Sequence, residues 1–211
     1  MRDRVVNCDC IKFMRATPDA SFDFILTDIP YGECGRTDGS IRNLDKGNAN
    51  RETFALGDFL PEVYRLARGS LVVFCSAAQF SGVRNFFKAM PGTVRSIVWE
   101  KTNPMPVNAR SVYLSGVEHG VWFRRPGAAF NAFCKNTVFR YPCGSSRLHP
   151  TEKNLGLLKE LILDNTSEGD IVFDPLAGSG SSLLAAKELG RRFYGCEIDP
   201  GYCALANSRL K

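Results

Sequence analysis

The chain has 211 residues, 44% of them apolar and 23% charged, with a formal net charge of +5. Fifteen Phe, six Tyr and two Trp need burial, so a mainly disordered chain is excluded and one domain spanning residues 1–211 is expected. No run of about 18 apolar residues occurs and the opening Met-Arg-Asp-Arg has no apolar stretch, so neither a membrane span nor a secretion signal is expected.

In chain order, residues 4–7 form a short apolar run, and Asp9 is placed to cap the helix that follows. Residues 22–27 read as a strand ending at Asp28. Residues 59–68 suit a helix that Gly69 would stop. Residues 70–75 (SLVVFC) are a continuous apolar strand, the pattern of a sheet covered on both faces. A helix over 79–90 and strands over 93–99 and 116–123 follow. Leu155, Leu158, Leu161 and Ile162 recur at helical spacing. The chain closes with a strand over 171–173, a helix over 181–189, a strand over 193–196, and a helix capped by Asp199 with Pro200 at its first position. Alternating strands and helices predict an α/β fold, doubly wound around a mostly parallel sheet. Two stretches interrupt this alternation. Residues 33–53 are polar and predict a mobile loop, and residues 126–150 predict a small ligand-recognising insertion.

Eight cysteines lie at irregular spacing without a CxxC pair, which favours buried free thiols in a reducing compartment. Cys134, Cys143 and His149 match no standard zinc spacing, so no metal is expected. Residues 101–153 hold eight basic side chains and two acidic ones, a footprint for a polyanion or an ordinary solvated surface.

Two motifs carry chemistry. In IVFDPLAGSGS (171–181), a strand ends at Asp174, and Gly178 and Gly180 precede a helix, where the backbone can turn tightly against a ligand. There is no phosphate-binding lysine, and Glu197 ends the next strand, where a carboxylate can accept ribose hydroxyls. A strand–helix corner with packing glycines would look the same. The second motif is Asp28-Ile29-Pro30-Tyr31 after the apolar FDFIL. A carboxylate at the carboxyl end of a parallel strand sits where such sheets bind ligands. Asp28 with a backbone carbonyl can accept both hydrogens of an amino group, and Tyr31 offers a ring for stacking on a flipped base. A turn started by Asp with a packing Tyr is the other reading.

Taken together, VNCDC, SFDFILTDIPYG, SIVWEKTNPMP, GVEHGVWFRRPG, LHPTEKNLGLLKELI and FDPLAGSGSSLLAAKELGRRFYGCEID, in this order, resemble the DNA amino-methyltransferases that use S-adenosylmethionine. The tetrapeptide precedes the cofactor loop, as in the circularly permuted β group of the adenine-N6 and cytosine-N4 enzymes. The resemblance implies a Rossmann-like methyltransferase sheet of seven strands in permuted order. It gives Asp174, Ala177, Gly178, Ser179 and Gly180 to the methionine side of the cofactor, Glu197 to the ribose, Ile198 and Asp9 to the adenine, and Thr151 and Lys153 to the methionine end. It gives Asp28 and the Ile29 carbonyl to the target amino group, with Pro30 shaping the turn and Tyr31 stacking on the base.

The family usually has proline where this chain has Ile29, and Asp rather than Ser at position 28 resembles the adenine-specific version. The implied activity is transfer of methyl to the adenine 6-amino group in double-stranded DNA, by base flipping, in a bacterial or phage-infected cytoplasm. Cytosine-N4 or RNA-amino methylation, and a silent cofactor- or DNA-binding module, are the alternatives. Members of the group often pair, so a homodimer is allowed for, though nothing in the sequence locates an interface.

Overall fold

The structure is a computed structural model that describes residues 3–31, 54–106, 109–144 and 153–211. Strands are β1 (Arg4–Asn7), β2 (Phe22–Asp28), β3 (Ala67–Cys75), β4 (Thr93–Lys101), β5 (Val117–Arg124), β6 (Val138–Tyr141), β7 (Ile171–Asp174) and β8 (Arg192–Glu197). Helices are α1 (Cys10–Ala16), α2 (Leu56–Leu66), α3 (Ala77–Lys88), α4 (Leu155–Asn165), α5 (Ser181–Glu188) and α6 (Pro200–Arg209). One sheet runs β1-β8-β7-β2-β3-β5-β4-β6, and β5 alone among the described strands runs against its neighbours.

Both faces of the sheet are covered. Leu157, Leu161 and Ile162 of α4, Leu183 and Ala186 of α5 and Cys203 and Ala206 of α6 pack in one cluster with Phe24, Leu26, Val72 and Phe74. Met14 of α1, Phe59 and Val63 of α2 and Val83 and Phe87 of α3 pack in the other with Ile25, Leu71, Val73 and Phe173. This is why β3 reads as an unbroken apolar run: alternate residues go to opposite cores.

The predicted caps are present. Asp9 Oδ1 accepts from the amides of Ile11 and Lys12 at 2.8 and 3.2 Å, and Asp199 Oδ1 from those of Gly201 and Tyr202 at 2.8 and 3.0 Å. Ser76 and Gln79 form a reciprocal capping box that starts α3 two residues before the expected position.

Three expectations need correction. First, α2 does not run to residue 68 and stop at Gly69. It ends at Leu66, and β3 begins at once with Ala67. Gly69 lies inside the strand because a Cβ there would sit 2.3 Å from the Asp23 carbonyl oxygen. The register of β2 on β3 shifts at this point, between Phe22 and Phe24.

Second, the sheet has eight strands among the described residues, one more than the seven expected. The additional one, β6, lies within residues 126–150, so part of the expected insertion is built into the sheet edge. It pairs in parallel with β4, and Phe139 is buried. Residues 33–53, read as a loop, lie outside the described residues.

Third, the positive stretch is largely consumed within the protein. Lys101 pairs with Glu118, Lys135 with Glu160 and Asp164, Arg140 with Glu100, and Lys153 with Asp28 and Glu118. Arg124 donates to the Ala128 carbonyl and Arg125 to those of Ala67 and Tyr64. Among the described residues no helix is long and apolar enough to cross a membrane.

Gly69→Ala is expected to destabilise the fold by about 1–3 kcal/mol, because the Asp23 backbone must move. Gly57→Ala in α2, where nothing lies within 4 Å of the added carbon, is expected to be neutral or stabilising. Thermal unfolding of the two variants checks the contrast.

Candidate functional site

Between β7 and β2 the order of connection reverses. From β7 the chain passes through α5 to β8, while from β2 it proceeds to α2 and β3 on the other side. The loops therefore diverge above the carboxyl ends of two strands about 4.8 Å apart, leaving a crevice there. Both sequence motifs end at that crevice.

On the β7–β8–β1 side, Cys8, Asp9, Cys10, Ile11, Phe54, Pro175, Leu176, Cys196, Glu197 and Ile198 line a cleft. Asp9, Glu197 and Ile198, expected to share a ligand, do converge here. Glu197 Oε2 accepts from the Gly178 amide and Oε1 from the Asp199 amide, both at 2.8 Å. Each oxygen keeps a further lone pair for a hydroxyl. Burial raises the Glu197 pKa, with the Asp199 and Gly178 amides opposing it.

Ile198 is 56% exposed despite its apolar side chain, and Phe54 is stacked on Phe59. These supply apolar walls suited to a flat base. The donor set and apolar walls fit a nucleoside such as the adenosine part of S-adenosylmethionine. Phe54 was not foreseen, because it follows the long polar stretch with no motif around it.

The glycine loop is held from within. Gly178 and Gly180 have φ of +50° and +80°, in the left-handed region that favours glycine. Asp174 Oδ1 accepts from the Leu176 amide at 3.0 Å and Oδ2 from the Ser182 hydroxyl. Ala177 and Ser179 are buried, and Arg209 holds the Ser179 carbonyl at 2.8 Å. Asp174 thus ties the loop to the start of α5. Burial lifts its pKa to about 6, against the bonds from Ser182 and Leu176.

On the β2 side, Ile29 is fully buried and its amide donates to the Phe74 carbonyl at 3.0 Å, extending the β2–β3 pairing. Proline could not make that bond, so burial and the ladder fix the backbone where a ring otherwise would. The Pro30 carbonyl accepts from Gln79 Nε2 at 2.8 Å, anchoring the turn on α3. The Tyr31 hydroxyl donates to Glu118 Oε2 at 3.3 Å.

Asp28 Oδ2 accepts from Lys153 Nζ at 2.6 Å. Its Oδ1 is shielded from solvent and has no hydrogen-bond partner among the described residues. Burial raises the Asp28 pKa, Lys153 opposes it and Glu118 adds to it. Glu118 is also pushed up by burial, but Lys153 and Lys101 prevail and hold it at about 2. Burial would lower Lys153, yet Asp28, Tyr31 and Glu118 outweigh it and keep the ammonium charged. The buried thiols of Cys10 and Cys75 are pushed up to about 12, chiefly by burial, so neither presents a thiolate near neutral pH.

Lys153 was assigned by resemblance to the methionine end of the cofactor, but the structure places it on Asp28. Thr151 and His149 lie outside the described residues. Cys134 is exposed and Cys143 half-buried. Glu118 and Gln79 were missed as site residues. A carboxylate inside the apolar strand read over 116–123 was the available signal for the former, whereas Gln79 gave none beyond its capping position.

A family model described as DNA methylase matches residues 133–208. Type II methyltransferase M2.DpnII of Streptococcus pneumoniae is 26% identical, covering 98% of this chain and 89% of its own length. The solved M1.HpyAVI–SAM complex superposes with a TM-score of 0.76 at 27% identity, covering 99% of this chain and 98% of that one. The PvuII cytosine-N4-specific DNA methyltransferase has a TM-score of 0.75 at 17% identity, covering 100% and 89%, and shares the fold.

Asp174→Asn is expected to raise stability near neutral pH by up to about 3 kcal/mol, since an aspartate normally titrates near 4 and this one near 6. The folded state binds the proton more tightly, so wild-type stability falls as pH rises from about 4 to 6, and the variant should lose that slope. Denaturant unfolding between pH 4 and 8 measures both effects.

Proposed function

We propose that this chain, similar to the N6/N4 DNA methylases over residues 133–208 and to type II methyltransferases along nearly its whole length, transfers a methyl group from S-adenosylmethionine to the 6-amino group of adenine in double-stranded DNA. The observation that carries this reading is Asp28 Oδ1, a buried acceptor at a strand end with no donor among the described residues. Leaving such an atom unpaired costs about 1–3 kcal/mol, a cost that an amino group entering the site removes.

The cleft beside Glu197, Asp9 and Ile198 would hold the nucleoside of the cofactor, and the Asp174–Gly180 loop would border its methionine portion. When bound, the cofactor supplies an electrophilic methyl group. The chain's own residues do the rest. Asp28 Oδ1 and the Ile29 carbonyl accept the two amino hydrogens, which leaves the nitrogen lone pair facing away from them. These acceptors also stabilise positive charge developing on the nitrogen. Tyr31, tied through its hydroxyl to Glu118, gives the extruded base a fixed ring to stack against. An aspartate at position 28, rather than a serine, supports adenine as the target.

Asp28→Ala is expected to lower kcat about a hundredfold to a thousandfold with cofactor affinity unchanged. Glu197→Gln is expected to weaken cofactor binding about ten- to a hundredfold. Calorimetric titration with S-adenosylmethionine and transfer of labelled methyl to unmethylated duplex DNA separate the two effects. A fully active Asp28→Ala protein would sink the assignment.

A further inference from the structure

The ammonium of Lys153 is fully engaged. It lies 2.6 Å from Asp28 Oδ2, 2.6 Å from Glu118 Oε2 and 3.4 Å from the Tyr31 hydroxyl. It also sits 4.9 Å from the centre of the Phe74 ring, and its side chain is 8% exposed. An ammonium has three hydrogens, and three oxygens already surround this one. Glu118, the bridge's far anchor, is itself fixed through its other oxygen by Lys101 at 3.0 Å. The result is a chain of alternating charge from the end of β2 through the start of α4 to the ends of β5 and β4.

We infer that Lys153 is a positioning residue for the methyl-transfer step rather than a cofactor ligand: it occupies Asp28 Oδ2, so the target amino group meets Oδ1, and Glu118 holds Lys153 in place. This role rests on the methyl-transfer reading for its purpose, but the geometry is independent of it.

The charged and titratable groups around Asp28 are Lys153 before α4, Glu118 on β5, Lys101 at the end of β4, Tyr31 after β2, Cys75 at the end of β3 and Asp174 at the end of β7. Among the described residues, Lys153 is the cation in contact with Asp28. Without it, burial and Glu118 both favour the protonated carboxyl, which offers a poorer acceptor. Without the charge on Glu118, one of the influences raising Asp28 disappears.

The test compares Lys153→Met, Lys153→Arg and Glu118→Gln. In Lys153→Met, the acid limb of the kcat–pH profile is expected to move up by about one to three pH units, while calorimetric affinity for S-adenosylmethionine stays at the wild-type value. Lys153→Arg should keep the limb near its wild-type position, and Glu118→Gln should move it down. The Asp28 carboxyl midpoint, followed by carbon-13 NMR in the cofactor-free protein and assigned with Asp28→Asn, should shift in the same directions.

The NMR titration needs no turnover, so it judges the role of Lys153 even if no methyl transfer is found for the wild type. Should Lys153→Met fail to fold, Glu118→Gln, expected to move the limb down, and Lys153→Arg, expected to leave it in place, still carry distinct expectations. A Lys153→Met protein with about tenfold weaker cofactor binding and an unmoved acid limb would overturn the inference, as would Asp28 midpoints that are the same in all variants.

Discussion

The reversal of connection order between the parallel neighbours β7 and β2 is the constraint on which the rest of the structure depends. In a parallel sheet all carboxyl strand ends emerge on one side, but a crevice opens only where successive connections part to opposite sides. Here that place is flanked by Asp174 on one strand and Asp28 on the next. The cleft beside Glu197 and the open oxygen of Asp28 are therefore neighbours by topology. Permuting the order of the motifs along the chain leaves this adjacency intact, because it depends on which strands lie side by side.

The two halves of the crevice are stabilised differently. On the β7–β8 side, backbone amides and the Ser182 hydroxyl satisfy Asp174 and Glu197, which lets the glycine loop hold its left-handed turns. On the β2 side, the stabilisation is ionic and long-range. Asp28, Lys153, Glu118 and Lys101 come from four separate parts of the chain and neutralise one another in a poorly solvated place. Breaking one partner of such a group leaves a buried charge, whereas the intact set keeps one carboxylate oxygen of Asp28 uncommitted. Ile29 fits the same logic. Its buried side chain and its amide bond to Phe74 give the tetrapeptide rigidity by packing and pairing.

Much of this was legible in the amino-acid sequence. Strands covered on both faces give continuous apolar runs such as 70–75, and Asp9 and Asp199 mark helix starts through short-range hydrogen bonds. Asp9, Glu197 and Ile198 could be grouped through the family resemblance, and Glu197 also from its place at the end of the strand that follows the glycine loop. What could not be read were the pairings set by the third dimension. The Lys153–Asp28 contact spans 125 positions. The basic stretch looked like a free positive surface because the acids that neutralise much of it, Glu100, Glu160 and Asp164 among them, come from strands and helices elsewhere along the chain. Gly69 was taken as a helix stop because its tight approach to Asp23 is a contact between strands. β6 was hidden because four residues at a sheet edge carry little periodic signal.

The central claim is that the open acceptor on Asp28 receives the 6-amino group of adenine. The most direct measurement is mass spectrometry of nucleosides from unmethylated duplex DNA treated with the protein and isotopically labelled S-adenosylmethionine. Label on N6-methyl-2′-deoxyadenosine is expected. Label on N4-methylcytosine, or on RNA but not DNA, would contradict it.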